Sequence, residues 1–330
     1  MSHNTIEVDH LVKEYPRVMA VDDVSFTINQ GEIFGFLGPN GAGKTTTIKI
    51  LLTLLQPTSG AVSVFGVDAL AHSDKIRQMA GYVPQDVSVD GDLTGYENML
   101  LYSKLYDIPG NVRKKRITET LEYLEIGDRS GEMVSHYSGG MMRRLEIAQA
   151  LINKPRVLFL DEPSIGLDPG ARKTMWKLIK QLRDEFGATI FINTHDMNEA
   201  DYLCDRIGIM DRGKLVTLGS PANLKAKVGG EILTISSPSS KCKSRLQELG
   251  YNIIAGDNDS SVDLLVSNGE KTIPALLDSL KQVGVEVETV SLKKPSLDEV
   301  FLNYTGTRIE ERDTWTAARK SRRNLRKLVG

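Results

Sequence analysis

The features that this sequence lacks exclude several classes of protein. No run of about 18 apolar residues occurs in the chain, so we predict no membrane-spanning helix. The N-terminal residues, Met1 to Thr5, lack the apolar core of a secretion signal. The net charge of −2 leaves no basic footprint for nucleic acid, which is therefore not an expected partner. The two cysteines, Cys204 and Cys242, have no metal-ligand spacing and indicate thiols in a reducing compartment.

Length and composition are those of a globular protein. The 330 residues predict about two domains, and the apolar content of 40% with 25% charged residues is ordinary for a folded chain. We expect a protein of the cytoplasm, or one held peripherally at the cytoplasmic face of the cell membrane.

One segment matches a complete phosphate-binding loop, with an apolar run before it and a helical pattern after it. Its residues are Gly38, Pro39, Asn40, Gly41, Ala42, Gly43, Lys44, Thr45 and Thr46. Glycines allow successive backbone N–H groups to face phosphate oxygens, and the helix adds the positive end of its dipole. Lys44 can reach the β- and γ-phosphates, and the Thr45 hydroxyl can ligate Mg²⁺. The loop predicts binding of a nucleoside triphosphate.

Three further apolar runs end in polar residues. They lead to Gln85, to the pair Asp161 and Glu162, and to His195. Continuous apolar runs with helical patterns between them indicate a parallel sheet that is covered on both faces. Because ligands bind beyond the carboxyl ends of such strands, we expect these residues to converge on the phosphate loop.

Phosphoryl transfer to water depends on positioning and charge, and this suggests a role for each residue. Asp161 suits Mg²⁺, and Glu162 can act as the general base. His195 can contact the γ-phosphate or orient that carboxylate, and Gln85 can hold water or Mg²⁺. A lone glutamine in a loop is usually solvated, and a lone histidine at a strand end is more often structural than catalytic. The Asp161–Glu162 pair therefore carries more weight.

A second candidate anion site precedes the Asp161 strand. Ser138, Gly139 and Gly140 offer a hydroxyl and accessible N–H groups at the start of a helical pattern. A simple capped helix is the alternative, and the position just upstream of Asp161 favours the anion site.

The order of these motifs resembles the ATP-binding cassette (ABC) ATPase family over roughly residues 5 to 225. The resemblance implies a P-loop cassette with a parallel-sheet core, an antiparallel β part and a helical subdomain, using ATP and Mg²⁺. It implies a homodimer in which Ser138 and Gly140 of one copy contact the γ-phosphate held by Lys44 of the other. It also implies that Tyr15 stacks on adenine, that Asp168 belongs to the ATP site, and that the segment between Gln85 and Ser138 docks onto membrane partners.

The signature segment departs from the family's usual Leu-Ser-Gly-Gly-Gln. It has tyrosine at its first position and Met141 at its last, but it keeps the hydroxyl and the glycines, so we expect a working site. This variant resembles the drug-resistance ATPases of the daunorubicin-exporter type.

The remainder of the chain predicts a second domain and a tail. Residues 226–309 read β-α-β-β-α-β, which indicates a small ferredoxin-like α+β domain after the cassette of residues 1–225. The predicted elements are Glu231–Ser236, Cys242–Leu249, Asn252–Ala255, Ser261–Val266, Ile273–Val283 and Glu286–Leu292. The domain ends in a helix that Ser296 and Glu299 begin with a capping box and that Gly306 ends. One face of this helix is apolar, formed by Leu297, Val300, Phe301 and Tyr304, and it packs on its own domain or closes over a partner subunit. The basic tail, residues 310–330, is a solvated tail or an amphipathic helix near anionic headgroups or the membrane partner.

We therefore predict the ATP-hydrolysing motor of an ABC exporter that drives a separately encoded integral-membrane permease. An importer ATPase is the first alternative, although importers often carry a barrel-like domain that the β-α pattern does not suggest. A non-transport ABC protein of translation or repair is the second alternative. Such proteins need two cassettes in one chain or a long coiled-coil insertion, and the sequence shows neither.

Overall fold

The computed structural model describes residues 4–238, 242–258 and 261–306, in two compact units. The first unit runs to Pro221 and the second spans Ala222–Gly306. The predicted division after residue 225 and the separate tail stay predictions, and the tail lies outside the described residues.

The first unit contains ten strands and seven helices among its described residues. The strands are β1 (Asn4–Tyr15), β2 (Val18–Asn29), β3 (Ile33–Leu37), β4 (Ser59–Val64), β5 (Val67–Asp68), β6 (Ala80–Val83), β7 (Val157–Asp161), β8 (Thr189–Thr194), β9 (Arg206–Asp211) and β10 (Lys214–Gly219). The helices are α1 (Lys44–Leu51), α2 (Ser73–Met79), α3 (Gly95–Leu105), α4 (Gly110–Tyr123), α5 (Gly139–Leu151), α6 (Pro169–Phe186) and α7 (Met197–Leu203). Short 3₁₀ turns at Gly127–Arg129 and Val134–His136 precede α5.

The central sheet has six strands in the order β10-β9-β3-β8-β7-β6. All of its pairings are parallel except that of β9 with β10. Every residue of β3, β7 and β8 is buried, which explains why these strands read as continuous apolar runs. This sheet confirms the predicted parallel core.

A second, antiparallel sheet has the order β2-β1-β4-β5. Buried residues of both sheets form one core, in which aromatic rings are packed closely. Phe36 meets Phe191 with ring centroids 5.1 Å apart and at 81°, and Phe26 meets Phe36 at 4.9 Å. Such edge-to-face contacts add to the burial of apolar area. The helices α3 and α4 lie in the segment between Gln85 and Ser138, which we call the helical segment.

The second unit begins with α8 (Pro221–Val228), of which only Pro221 belongs to the first unit. Its further elements are β11 (Glu231–Ser236), α9 (Cys242–Glu248), β12 (Asn252–Asn258), β13 (Ser261–Val266), α10 (Gly269–Gln282), β14 (Thr289–Lys293) and α11 (Leu297–Thr305). The antiparallel sheet has the order β12-β13-β11-β14, which is the order of a ferredoxin-like fold. The predicted fold class is confirmed.

Three elements of this unit differ from the sequence pattern by three residues or more, and one of them, β12, ends at Asn258 rather than at Ala255. Helix α10 begins at Gly269 rather than at Ile273, because the Asn268 side chain accepts a hydrogen bond from the Lys271 N–H at 3.0 Å and caps the helix. Strand β14 begins at Thr289 rather than at Glu286, since its pairing with β11 starts opposite Ser236.

The capped helix α11 has the predicted capping box between Ser296 and Glu299 and ends at Gly306. Leu297, Val300 and Phe301 are buried within the single chain. This burial in a single copy disfavours the alternative in which these three side chains await a partner subunit.

Candidate active site

The phosphate loop joins β3 to α1 and requires glycine at two positions. A Cβ atom on Gly43, whose φ is +105°, would lie 2.3 Å from the Ala20 carbonyl oxygen. A Cβ atom on Gly38 would lie 2.2 Å from the carbonyl oxygen of Met210. The Lys44 ammonium donates to the carbonyl oxygens of Gly38 at 2.6 Å and Pro39 at 3.2 Å, so it lies within the curl of the loop.

The parallel strands bring the other predicted residues to the same edge of the sheet. Leu37 at the end of β3 lies opposite Thr194 of β8, and Asp161 at the end of β7 lies opposite Asn193. The loops that follow these strands begin at Gly38, His195 and Glu162. Gln85 follows β6, the strand beyond β7, and thus the predicted convergence is present.

Asp161 is held by two neighbours and keeps one oxygen without a partner. Its Oδ1 accepts from Asn193 Nδ2 at 2.7 Å and from the Thr45 hydroxyl at 3.4 Å. Among the described residues, the Oδ2 atom of Asp161 and the Oδ1 atom of Asn193 are buried without a hydrogen-bond partner. Burial raises the pKa of Asp161, whereas the hydrogen bonds from Asn193 and Thr45 lower it.

This arrangement fits a magnesium ion. Mg²⁺ prefers oxygen ligands and is usually bound by one or two carboxylates together with substrate phosphates. In the described part of the chain, no group of three or more His, Cys, Asp or Glu side chains is gathered as a complete metal site. The unpartnered oxygen of Asp161 beside the Thr45 hydroxyl therefore suits a metal whose remaining ligands come from a triphosphate.

Glu162 and His195 form a direct hydrogen bond. His195 Nδ1 lies 2.8 Å from Glu162 Oε1, and the carboxylate is buried. The backbone of Glu162 has a φ of +55°, a conformation that costs a non-glycine residue about 1–3 kcal/mol. Its N–H donates to the Asn193 carbonyl at 2.8 Å, which holds the strained residue in place.

A cavity of about 390 Å³ brings together nine of the predicted site residues. It is lined by Tyr15, Val18, Ala20, Asn40, Gly41, Gly43, Lys44, Thr45, Thr46, Gln85 and Glu162. The Tyr15 ring is partly exposed, and the Lys13 ammonium lies 5.2 Å from its centroid. A partly exposed aromatic ring and the phosphate loop thus line the same cavity, a combination that suits a nucleotide.

Ser138, Gly139, Gly140 and Asp168 occupy a different place. Ser138 caps α5 by accepting from the Met141 N–H at 3.3 Å, and Asp168 caps α6 by accepting from Gly170 and Ala171. The two caps are close, because Cβ atoms on Gly139 and Gly140 would lie 3.6 and 3.7 Å from the side chains of Leu167 and Ala171. In the described part of the chain, none of the four predicted residues lines the cavity.

Sequence reasoning missed two residues that hold this site. Asn193 connects Asp161 with Thr45, and its only sequence signal is a polar amide inside an apolar strand. Glu199 is fully buried and accepts from the Ser164 hydroxyl at 2.5 Å and from Trp176 Nε1 at 3.0 Å. Burial raises the pKa of Glu199, and its hydrogen bonds lower it. Its position on α7, four residues after His195, gave no signal of this contact.

The loop, the helix that it opens and the carboxylates at the ends of neighbouring strands define a P-loop nucleoside triphosphatase. The sequence pattern of the ABC transporter family matches residues 21–165, and that of the DrrA1-3-like ATP-binding-protein C-terminal domain matches residues 219–305. The chain belongs to the ABC transporter family and is one of its ATPases. The predicted resemblance to the drug-resistance branch is confirmed.

Two relatives are similar over nearly the whole chain. The linearmycin resistance ATP-binding protein LnrL of Bacillus subtilis is 33% identical over 311 residues, which are 93% of this chain and 100% of that protein. The daunorubicin/doxorubicin resistance ATP-binding protein DrrA of Streptomyces peucetius is 35% identical over 322 residues, which are 96% of this chain and 97% of that protein.

Solved cassettes share the fold. The dimeric ATP-binding cassette MJ0796, in a post-hydrolysis state bound to ADP and Pi, aligns with a TM-score of 0.60 at 28% identity. The alignment covers 65% of this chain and 98% of that cassette. Among the described residues, no helix has the length and apolar character that crossing a membrane requires.

Proposed function

We propose that the chain is the ATP-hydrolysing motor of a membrane exporter, working as a homodimer that drives a separately encoded integral-membrane permease. The separation of two groups of residues carries this proposal. Lys44 and Glu162 line the cavity, whereas Ser138 lies outside it at the start of α5. Two copies arranged head to tail bring Ser138 of one to the phosphates held by Lys44 of the other. Similarity to a dimeric cassette supports the arrangement.

Each residue of the cavity then has a task in hydrolysis. Backbone N–H groups of the phosphate loop, Pro39 excepted, bind the triphosphate, and the Lys44 ammonium turns from its carbonyl partners to the β- and γ-phosphates. Glu162 accepts the proton of the attacking water as general base. His195 orients that carboxylate through the 2.8 Å hydrogen bond, and Gln85 positions the water with its amide.

The remaining roles concern Mg²⁺, the adenine ring and the second copy of the chain. Thr45, Gln85 and Asp161 would hold Mg²⁺, which when bound neutralises charge on the phosphate oxygens. Tyr15 stacks on adenine at the rim of the cavity. Asp168, beside the Ser138 cap, belongs with Ser138, Gly139 and Gly140 at the edge that completes the site of the second copy.

The helical segment offers a surface for the permease. Leu105 at the end of α3 is 70% exposed, and Leu101 one turn earlier is also exposed. Tyr102 and Tyr106 of the same segment line a groove of about 340 Å³ together with Tyr82 and Pro84. An exposed apolar patch beside a groove is typical of a protein-binding surface. Docking there places the chain peripherally at the cytoplasmic face of the membrane, and the basic tail adds contact with that surface.

The match of the C-terminal unit to the DrrA1-3-like domain favours export over import. The relatives are resistance proteins for daunorubicin, doxorubicin and linearmycin, which suggests a large, partly apolar compound as the transported substrate.

Transport by inverted vesicles tests the proposal. The chain is co-expressed with the membrane protein of an adjacent reading frame, and ATP-dependent uptake of daunorubicin is followed by fluorescence quenching. We expect uptake that disappears with Lys44→Ala. Leu105→Glu should abolish membrane association, while Leu70→Glu, an exposed leucine outside the helical segment, should not. ATP hydrolysis without uptake of any apolar compound would contradict the export role.

A further inference from the structure

One buried carboxylate has no task in the hydrolysis described above, although its hydrogen bonds reach both loops of the active site. Glu199 on α7 is 1% exposed, and its Oε1 accepts from the Ser164 hydroxyl at 2.5 Å and from Trp176 Nε1 at 3.0 Å. Trp176 Nε1 also lies 3.3 Å from the Ser164 hydroxyl, so the three side chains close a triangle. This triangle joins α7 to α6 and to the loop that follows β7.

The first link of Glu199 leads to Glu162. Ser164 lies two residues after Glu162, and Pro163 between them fixes its own φ near about −65°. The Ile165 N–H donates to the Glu162 carbonyl at 3.2 Å, which closes a tight turn over the same residues. A position imposed on the Ser164 hydroxyl is therefore passed to Glu162 through a short and restrained stretch of chain.

The second link of Glu199 leads to His195. Burial raises the pKa of Glu199, and the hydroxyl of Thr194, the residue before His195, is among the hydrogen-bond donors that lower it. The same hydroxyl accepts from the Asp196 N–H at 2.9 Å, and Asp196 caps α7 by accepting from the Glu199 N–H at 3.3 Å. The residues on both sides of His195 are thus held to the first turn of the helix that carries Glu199.

Stability alone does not explain a carboxylate at this position. Among the described residues, Glu199 belongs to no ion pair, and a buried carboxylate without a cation is costly even when it is hydrogen-bonded. What directed hydrogen bonds add is a defined position for the groups that donate them. The groups positioned here flank Glu162 and His195, whose Oε1 and Nδ1 atoms lie 2.8 Å apart.

We propose that Glu199 is a positioning residue for ATP hydrolysis, whose carboxylate holds the Ser164 loop against the end of β8 and so keeps Glu162 in contact with His195. The inference rests on the proposed function, in which Glu162 is the general base and His195 orients it. Glu199 is not among the described residues that line the nucleotide cavity, so it acts on hydrolysis through these two residues.

Steady-state ATP hydrolysis by the full chain, together with calorimetric titration of AMP-PNP, tests the inference. Glu199→Leu removes the acceptor and keeps a side chain of similar size. We expect kcat to fall about tenfold or more, because a misplacement of about 1 Å near the reacting groups can cost 10²-fold. The KM for ATP and the affinity for AMP-PNP should stay as in wild type, since the phosphate loop is not displaced.

A conservative variant and a double variant separate positioning from support of the fold. Glu199→Gln keeps an oxygen that can accept from Ser164 and Trp176, and it should retain most of the wild-type kcat. Ser164→Ala removes the donor on the loop and should lower kcat as Glu199→Leu does. Because both changes break the same contact, the double variant should lower kcat no further.

Another buried glutamate provides a matched control. Glu32 is 8% exposed and pairs with Arg206 at 3.0 Å, just before β3 begins and thus at the opposite end of the strands from the nucleotide cavity. Glu32→Leu should lower the melting temperature and leave kcat as in wild type.

Several outcomes would overturn the inference. They are a wild-type kcat in Glu199→Leu, a kcat of Glu199→Gln as low as that of Glu199→Leu, additive losses in the double variant, and an equal loss of kcat in Glu32→Leu. If Glu199→Leu does not fold, a wild-type kcat in Ser164→Ala overturns the inference by itself. Retained turnover in Glu162→Gln would instead show that the proposed function assigns the wrong base.

Discussion

The Nδ1 atom of His195 and the Oε1 atom of Glu162 lie 2.8 Å apart, although the residues follow different strands. Their contact exists because β7 and β8 are adjacent and parallel, with Asp161 opposite Asn193. It sets the orientation of the carboxylate that we assign as general base.

Glu162→Gln should keep ATP affinity and lose turnover by roughly 10²-fold or more, because the amide fills the same space but cannot accept the proton of water. The variant should accumulate as an ATP-bound dimer, measured by light scattering. Glu122→Gln, an exposed glutamate on α4, serves as control and should keep full turnover. If Glu162→Gln retained turnover, Glu162 would not be the general base.

Asp161→Asn should lower the apparent affinity for Mg²⁺, because the carboxylate supplies the charge that attracts the ion. Burial raises the pKa of Asp161, so protons compete with Mg²⁺ at higher pH than for an ordinary aspartate. The apparent Mg²⁺ affinity for nucleotide binding should fall as the pH is lowered, and more steeply in wild type than in Asp161→Asn. The nucleotide titrates equally in both experiments, so it does not contribute to the difference between the two slopes of Mg²⁺ affinity against pH. Equal slopes for wild type and Asp161→Asn would exclude Asp161 as a Mg²⁺ ligand.

Mixing two inactive variants should restore activity. Ser138→Arg and Lys44→Ala should each hydrolyse ATP poorly alone, because each homodimer carries two defective sites. A mixed dimer regains one site with an intact Lys44 and an intact Ser138 from opposite copies. Activity of tagged, purified heterodimers measures this, and heterodimers without rescue would show that Ser138 acts within its own chain.

Glu199→Gln should remove a loss of stability that wild type shows as the pH rises. Burial raises the pKa of Glu199 above its usual 4.5, so the folded state holds a proton that the unfolded state has released. Wild-type stability should therefore fall as the pH rises from about 4.5 through the raised pKa. The melting temperatures of wild type and Glu199→Gln should diverge between pH 5 and pH 8, and the variant should have the higher melting temperature at pH 8. Parallel curves would show that Glu199 keeps an ordinary pKa.

Phe301→Asp should cost several kcal/mol of stability, because Phe301 is 0% exposed and the new charge would be buried unpaired. Leu302→Asp, its 37% exposed neighbour on α11, should change stability by about 0.5 kcal/mol or less. Urea unfolding measures both variants. A folded Phe301→Asp monomer that has lost only dimerisation would restore the partner-surface interpretation.

Much of the fold could be predicted from local patterns. The buried strands β3, β7 and β8 read as apolar runs because both of their faces are covered. Helix α11 was bounded correctly by its capping box and Gly306. The start of α10 was missed because the Asn268 cap lies outside the apolar pattern on which the helix prediction depended.

The sequence by itself determined the chemistry of the phosphate loop, because glycines, lysine and threonine at adjacent positions act through the local backbone. It also determined which polar residues end the strands. Only the tertiary structure decided that Asn193 bridges Asp161 and Thr45 and that Glu199 accepts from Ser164. It alone also decided that Arg143 of α5 donates to the Gln85 carbonyl. These contacts join residues far apart in the chain, and they depend on how strands and helices pack, which no local pattern records.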